Sequence, residues 1–154
     1  VMPLDSQARL DDLLGILRTN TATIAASLTS ATTINTVKQG DARSLPVTLG
    51  GYPAILVKLS RETESFQQIG QRLNRHELEF TIACIVYQGI DPQTSDEDCV
   101  TMTKNLKGVL KSNITLSNTA IMSIPETVDY QPLDLDGVYC SASLVSFRAV
   151  YLST

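Results

Sequence analysis

From residue 74 to residue 88 the chain reads Asn-Arg-His-Glu-Leu-Glu-Phe-Thr-Ile-Ala-Cys-Ile-Val-Tyr-Gln, and its side chains alternate in character. Leu78, Phe80, Ile82, Cys84 and Val86 fall on one parity, with Glu77, Glu79, Thr81 and Ala83 on the other. A period of two belongs to a strand with one buried face, because successive side chains of an extended chain point to opposite sides. Towards the end the second parity also turns apolar, at Ile85 and Tyr87, so that end is expected to be covered on both faces. A strand of this kind constrains everything else: it demands neighbours in a sheet and a layer to cover its apolar side.

The neighbours are legible on both sides in sequence. Residues 53–60 place Ile55, Val57 and Leu59 on one parity and read as a strand that pairs with 76–87. Residues 61–75 are polar, with Phe66, Ile69 and Leu73 as the large apolar exceptions and Gly70 as a turn point, so an extended hairpin with a long tip at 61–75 is expected. Glu62 and Glu64 share a parity, as do Glu77 and Glu79, which predicts an acidic hairpin face. Near the end, Pro132 cannot donate to a ladder, so 127–135 reads as an edge strand, followed by the turn dipeptide Asp136-Gly137. The last run has Val138, Cys140, Ala142 and Leu144 on one parity but Val145, Phe147, Ala149 and Tyr151 on the other, a switch that predicts a bulge or a change of packing partner.

Two helices are expected to cover the sheet. Leu10, Leu13, Leu14 and Leu17 recur every three or four residues, Ile24 and Leu28 extend the stripe, and Asp5 or Ser6 can cap its start. The second helix is expected to open at Ser95-Asp-Glu-Asp98, a serine cap with a carboxylate at the capping-box position. It buries Cys99, Met102, Leu106, Val109 and Leu110 and carries Lys104, Lys107 and Lys111 on nearly the opposite side. Such lysines either form a solvated face that suits the negative end of the helix or meet an acidic neighbouring subunit. Residues 29–51 are rich in Ser, Thr, Asn and Gly, longer than compact domains usually leave without structure. They read as a surface loop or an arm that orders against a partner, enclosing at most a short strand at 45–49. The expected class is therefore α+β, a mainly antiparallel sheet of long hairpins packed by two helices, in one domain spanning residues 1–154.

Composition narrows function more than it identifies it. The 154 residues hold 12 Lys and Arg against 16 Asp and Glu, and the net charge of −4 argues against free nucleic acid as the main ligand. No apolar run approaches the roughly 20 residues of a membrane span, and Val1-Met-Pro-Leu-Asp lacks the basic flank and apolar core of a signal peptide. Cys84, Cys99 and Cys140 are widely spaced and read as small buried hydrophobes in a reducing cytoplasm. His76 is the sole histidine, so multi-histidine metal sites and Ser-His-Asp arrangements are hard to build. Gly50-Gly51-Tyr52 lacks the spacing and lysine of a phosphate loop, and Asp91 to Asp98 lacks the glycine and final glutamate of an EF-hand. No catalytic, cofactor or metal constellation emerges.

The order of helix, long hairpin, capped helix and closing hairpin, with Arg75-His-Glu-Leu-Glu-Phe-Thr-Ile-Ala-Cys-Ile-Val and Leu144-Val-Ser-Phe-Arg-Ala-Val-Tyr-Leu, resembles the tail terminator family of long-tailed bacteriophages. That resemblance implies a structural, non-enzymatic subunit of the virion. It would form a ring, typically a hexamer, that caps the tail tube and joins it to the head-side connector protein, with DNA passing through the lumen. Glu62, Glu64, Glu77 and Glu79 are then the lumen candidates, their repeated charge letting DNA slide, and Lys104, Lys107 and Lys111 are interface candidates. Within virion assembly the alternatives are a head completion or stopper protein and a tail tube subunit. Outside it, the alternative is a small-molecule-binding α+β domain.

Overall fold

The computed structural model describes residues 5–41, 51–68, 73–87, 91–116, 120, 122–135 and 138–153. The central element is β3 (Leu73–Tyr87), whose Leu78, Phe80, Ile82, Cys84 and Val86 are all buried, as the alternation requires. It pairs antiparallel with β2 (Ala54–Gln68) on one side and with β5 (Val138–Ser153) on the other. β4 (Met122–Leu135) closes one edge against β5, and β1 (Thr36–Gln39) closes the other, parallel to β2. The order is β1-β2-β3-β5-β4, a mixed sheet of five strands. β4 is the edge strand that Pro132 predicts, and it starts earlier than expected, running through Pro125 with a register shift between Pro125 and Thr127.

Helices α1 (Ser6–Thr19) and α3 (Pro92–Ser112) lie on one face of the sheet, with the four-residue α2 (Thr21–Ile24) between them in sequence. The Asp5 carboxylate caps α1 through the Ala8 amide at 3.1 Å. The leucine stripe breaks at Asn20, but Ile24 still reaches the core, and Asn105 on α3 holds this stretch by donating to the Ile24 and Ala26 carbonyls. Phe80 and Phe147 are paired neighbours at the centre, with ring centroids 6.2 Å apart. Each such fully buried side chain contributes roughly 1.5–3 kcal/mol.

Three expectations need correction, and one strand goes unforeseen. α3 begins three residues before Ser95: Asp91 is the cap, accepting from the Gln93 amide, and Pro92 occupies the first turn, where its missing N–H costs nothing. Ser95 and Asp98 are buried inside the helix and serve other partners. The strand in the 29–51 segment is Thr36–Gln39, whose single apolar residue gives no alternation to read, whereas 45–49 lies outside the described residues. Strands β2 and β3 continue through most of 61–75, from Arg61 to Gln68 and from Leu73 onward; Gly70 is outside the described residues, as is Asp136-Gly137.

The third correction concerns β5, where the bulge is overturned and the change of packing partner holds: the strand runs against β3 from Cys140 to Ser153 with no register shift, while its apolar residues pass from one cluster to another. Its parity never switches. Ser141 and Ser143 share the helix-side face with Val145, Phe147, Ala149 and Tyr151, while Cys140 and Ala142 belong to a second, smaller apolar cluster on the opposite face. The buried serines are tolerated because α3 supplies partners: Ser141 lies 2.9 Å from the Ser95 hydroxyl and donates to Asp96, and Ser143 lies 2.5 Å from Thr103.

Candidate interface surfaces

The sheet face away from the helices carries the second cluster at one end, with Tyr52, Ala54, Leu56, Ile85, Cys140 and Ala142 buried there. This answers the expectation that the Ile85–Tyr87 end of β3 is covered on both sides. A hollow of about 300 Å³ opens beside it, walled by Leu56, Ile85, Leu133 and Leu144, with Lys58 and Asp41 forming a 3.8 Å ion pair at its rim.

Farther along the same face the surface becomes charged. Arg148 on β5 lies 2.8 Å from Glu126 on β4 and 3.8 Å from Glu77 on β3, and Arg75 lies 2.8 Å from the other Glu77 oxygen. These side chains are each about one-third exposed, so the ladder fixes geometry across three strands more than it adds stability.

The four glutamates therefore do not form one face. β2 slips register between Leu59 and Arg61, leaving Ser60 as the extra residue, and a slip of one residue turns every following side chain over. After it Glu62 pairs with Leu78 and Glu64 with His76, on the helix side, while Arg61 and Thr63 pair with Glu79 and Glu77 on the open side. Glu62 accepts from the Ser6 hydroxyl at 2.9 Å, beside the positive end of α1, and Glu64 accepts from Asn74 at 2.9 Å. Glu77 is held between two arginines. A lumen wall made of all four carboxylates is excluded by this register.

Lys104, Lys107 and Lys111 do share the outer side of α3, Lys104 and Lys111 exposed and Lys107 half-buried, opposite the buried Met102, Leu106 and Leu110. Lys104 borders a polar groove of about 440 Å³ with Asn20, Thr23 and Asn105. Sequence reasoning missed Arg148 and Glu126. Arg148 was the available signal, a lone charge in the otherwise uncharged run from Val138 to Ser153.

The groups with reactive chemistry are spent on structure. Cys84, Cys99 and Cys140 are buried free thiols. Burial, aided by the neighbouring Cys99, pushes the Cys84 thiol up to about 12, and burial raises Cys99 to about 11. A thiol that resists ionising is a poor nucleophile. Tyr151, buried under the Arg9 guanidinium at 5.9 Å, is pushed up to about 12 by its burial. Among the described residues, no three of His, Cys, Asp and Glu stand close enough to share a metal ion, and no helix is long and apolar enough to cross a membrane.

No protein-family model and no curated protein matches the chain.

Proposed function

We propose that the chain is a structural subunit of a self-assembled ring, typically of six copies, that caps a phage tail tube and joins it to the head-side connector while DNA passes through the lumen. The virion neck, after assembly in a host cytoplasm, would be its place. The resemblance of the 75–86 and 144–152 strands to tail terminators supports this, and the observation that carries it is the distribution of exposed apolar side chains. Among the described residues, the exposed large hydrophobics all belong to β4, β5 and the α3 segment: Met122, Ile124 and Leu152 on the open face, Tyr130 and Tyr139 on the helix side, Val100 on α3 and Ile114 just after it. Scattered apolar residues need no explanation, but their confinement to the β4, β5 and α3 part of the molecule marks a surface made to be covered. An overall charge of −4 keeps passing DNA from being held.

Purified protein examined by native mass and negative-stain imaging should give discrete short rings of about six copies that bind the ends of tail tubes. Spontaneous growth into tubes would instead indicate a tube subunit, and binding to the connector without binding tube ends would indicate a stopper. A second reading, a small-molecule-binding domain, draws on the apolar 300 Å³ hollow at Leu56, Ile85 and Leu144. A monomer that binds an apolar ligand there and never forms rings would establish that reading and refute the ring.

A further inference from the structure

The strand registers order the open face into rows that cross the sheet from edge to edge. One row runs Lys38–Leu56–Ala83–Leu144–Asp129, from β1 to β4. The next runs Lys58–Thr81–Ser146–Thr127, with Glu126 immediately before Thr127 at the β4 register shift. The third runs Arg61–Glu79–Arg148–Ile124. All three rows begin in a base on the β1–β2 side; on the β4 side the first ends in the acid Asp129 and the second in Thr127, next to the acid Glu126. β4 carries Glu126, Asp129 and Asp134 and no base; Thr36–Gln39 together with 54–61 carries Lys38, Lys58 and Arg61 and no acid.

Within one chain Lys58 is paired with Asp41 and Glu126 with Arg148, but Lys38 and Asp129 cannot reach each other. Four strand spacings separate Lys38 from Asp129, about 19 Å, roughly twice the screening length at physiological salt. Between two copies laid edge to edge they become neighbours. We propose that in the ring inferred above, on which this contact rests, the β4 edge of each copy lies against the β1–β2 edge of the next, Asp129 meeting Lys38 and Glu126 meeting Lys58.

The alternative of two β4 edges meeting about a two-fold axis brings three acids against three, and like charges directly opposite are destabilising. The contact is therefore heterologous, the kind that repeats around a ring and closes. It runs through side chains, since Pro125 and Pro132 remove two N–H donors from β4 and prevent an unbroken backbone ladder. The exposed Ile124 and Tyr130 on the same edge add apolar area at the joint.

The test is a charge swap in the full chain, read by native mass and sedimentation at about 50 mM and 500 mM salt, where screening differs several-fold. The unaltered chain should form rings more readily at the lower salt. Asp129→Lys and Lys38→Glu should each raise the concentration for half-assembly at least about tenfold at low salt. The double variant carrying both should return to within about threefold of the unaltered chain, because every joint is again complementary. Glu126→Lys serves as a further variant, with circular dichroism confirming that it folds beside Arg148. Rings that form unchanged in both single variants, or a double variant that stays as impaired as the singles, overturn this contact and leave the ring standing. An unaltered chain that forms no rings at either salt overturns the ring reading and this contact together.

Discussion

Replacing Asp98 by alanine should be among the most damaging changes of a polar residue in this protein. The side chain is 2% exposed and accepts from the Thr29 amide at 2.9 Å, the Ser30 amide at 3.0 Å and the Ser30 hydroxyl. Through these bonds α3 fixes the chain that leaves α2 and leads to β1. Removing the carboxylate strands both amides; the hydroxyl can rotate to water. At about 1–1.5 kcal/mol per orphaned amide, an upper figure because Thr29 and Ser30 are exposed and water can reach them, the loss is at most about 2–3 kcal/mol. For a chain of this size that lowers Tm by about 4–12 °C. Asp98→Asn keeps the shape and one acceptor and should lose about half as much, and Ser30→Ala no more than about 1 kcal/mol. Urea unfolding of the three variants, with m unchanged, measures this directly. A loss below about 0.5 kcal/mol for Asp98→Ala would refute the claim that this carboxylate holds the segment.

The Thr103–Ser143 contact should show strong coupling: Thr103 donates to the Cys99 carbonyl at 2.7 Å, leaving its oxygen to accept from Ser143. Thr103→Val or Ser143→Ala alone should cost about 1–3 kcal/mol and the double variant less than the sum, which a double-mutant cycle in urea measures. Stability should also fall in alkali, because Cys84 and Cys99 keep their protons in the fold to about 12 and about 11. Unfolded thiols ionise near 8.5–9, so this contribution is complete below that pH and is lost as pH rises through the folded values, at about 1.4 kcal/mol per pH unit per thiol. Cys84→Ala should flatten the decline in unfolding free energy between pH 9 and 11, and an equally steep decline in that variant would place its origin elsewhere.

The sheet's centre was legible because its chemistry is simple. In β3 every core-side residue from Leu78 to Val86 is apolar, and the same is true of Leu10 to Leu17 on α1, so period alone locates both. β5 misled because Ser141 and Ser143 occupy core positions, and their suitability depends on Ser95 and Thr103 arriving from a helix some forty residues away in sequence. The start of α3 misled for a related reason: Asp98 has the spacing of a capping box but is committed to Thr29 and Ser30. At the candidate surface the lysine stripe was visible as helical spacing. The ladder of Glu126, Arg148 and Glu77 was not, since three strands from distant parts of the chain must align before it exists.

The extra residue at Ser60 works as an address marker for the rest of β2. Its hydroxyl lies 2.6 Å from that of Thr81, and from there to the second register shift after Phe66 it assigns each residue its side of the sheet. Were it to pair with Glu79 in an unbroken ladder, composition, length and net charge would be unchanged, yet Arg61 and Thr63 would turn beneath α1 and Glu62 and Glu64 would come beside Glu77 and Glu79. Whether this protein presents one concentrated negative surface or two dispersed ones is thus decided by whether a single small residue bulges or pairs, with no charged residue altered.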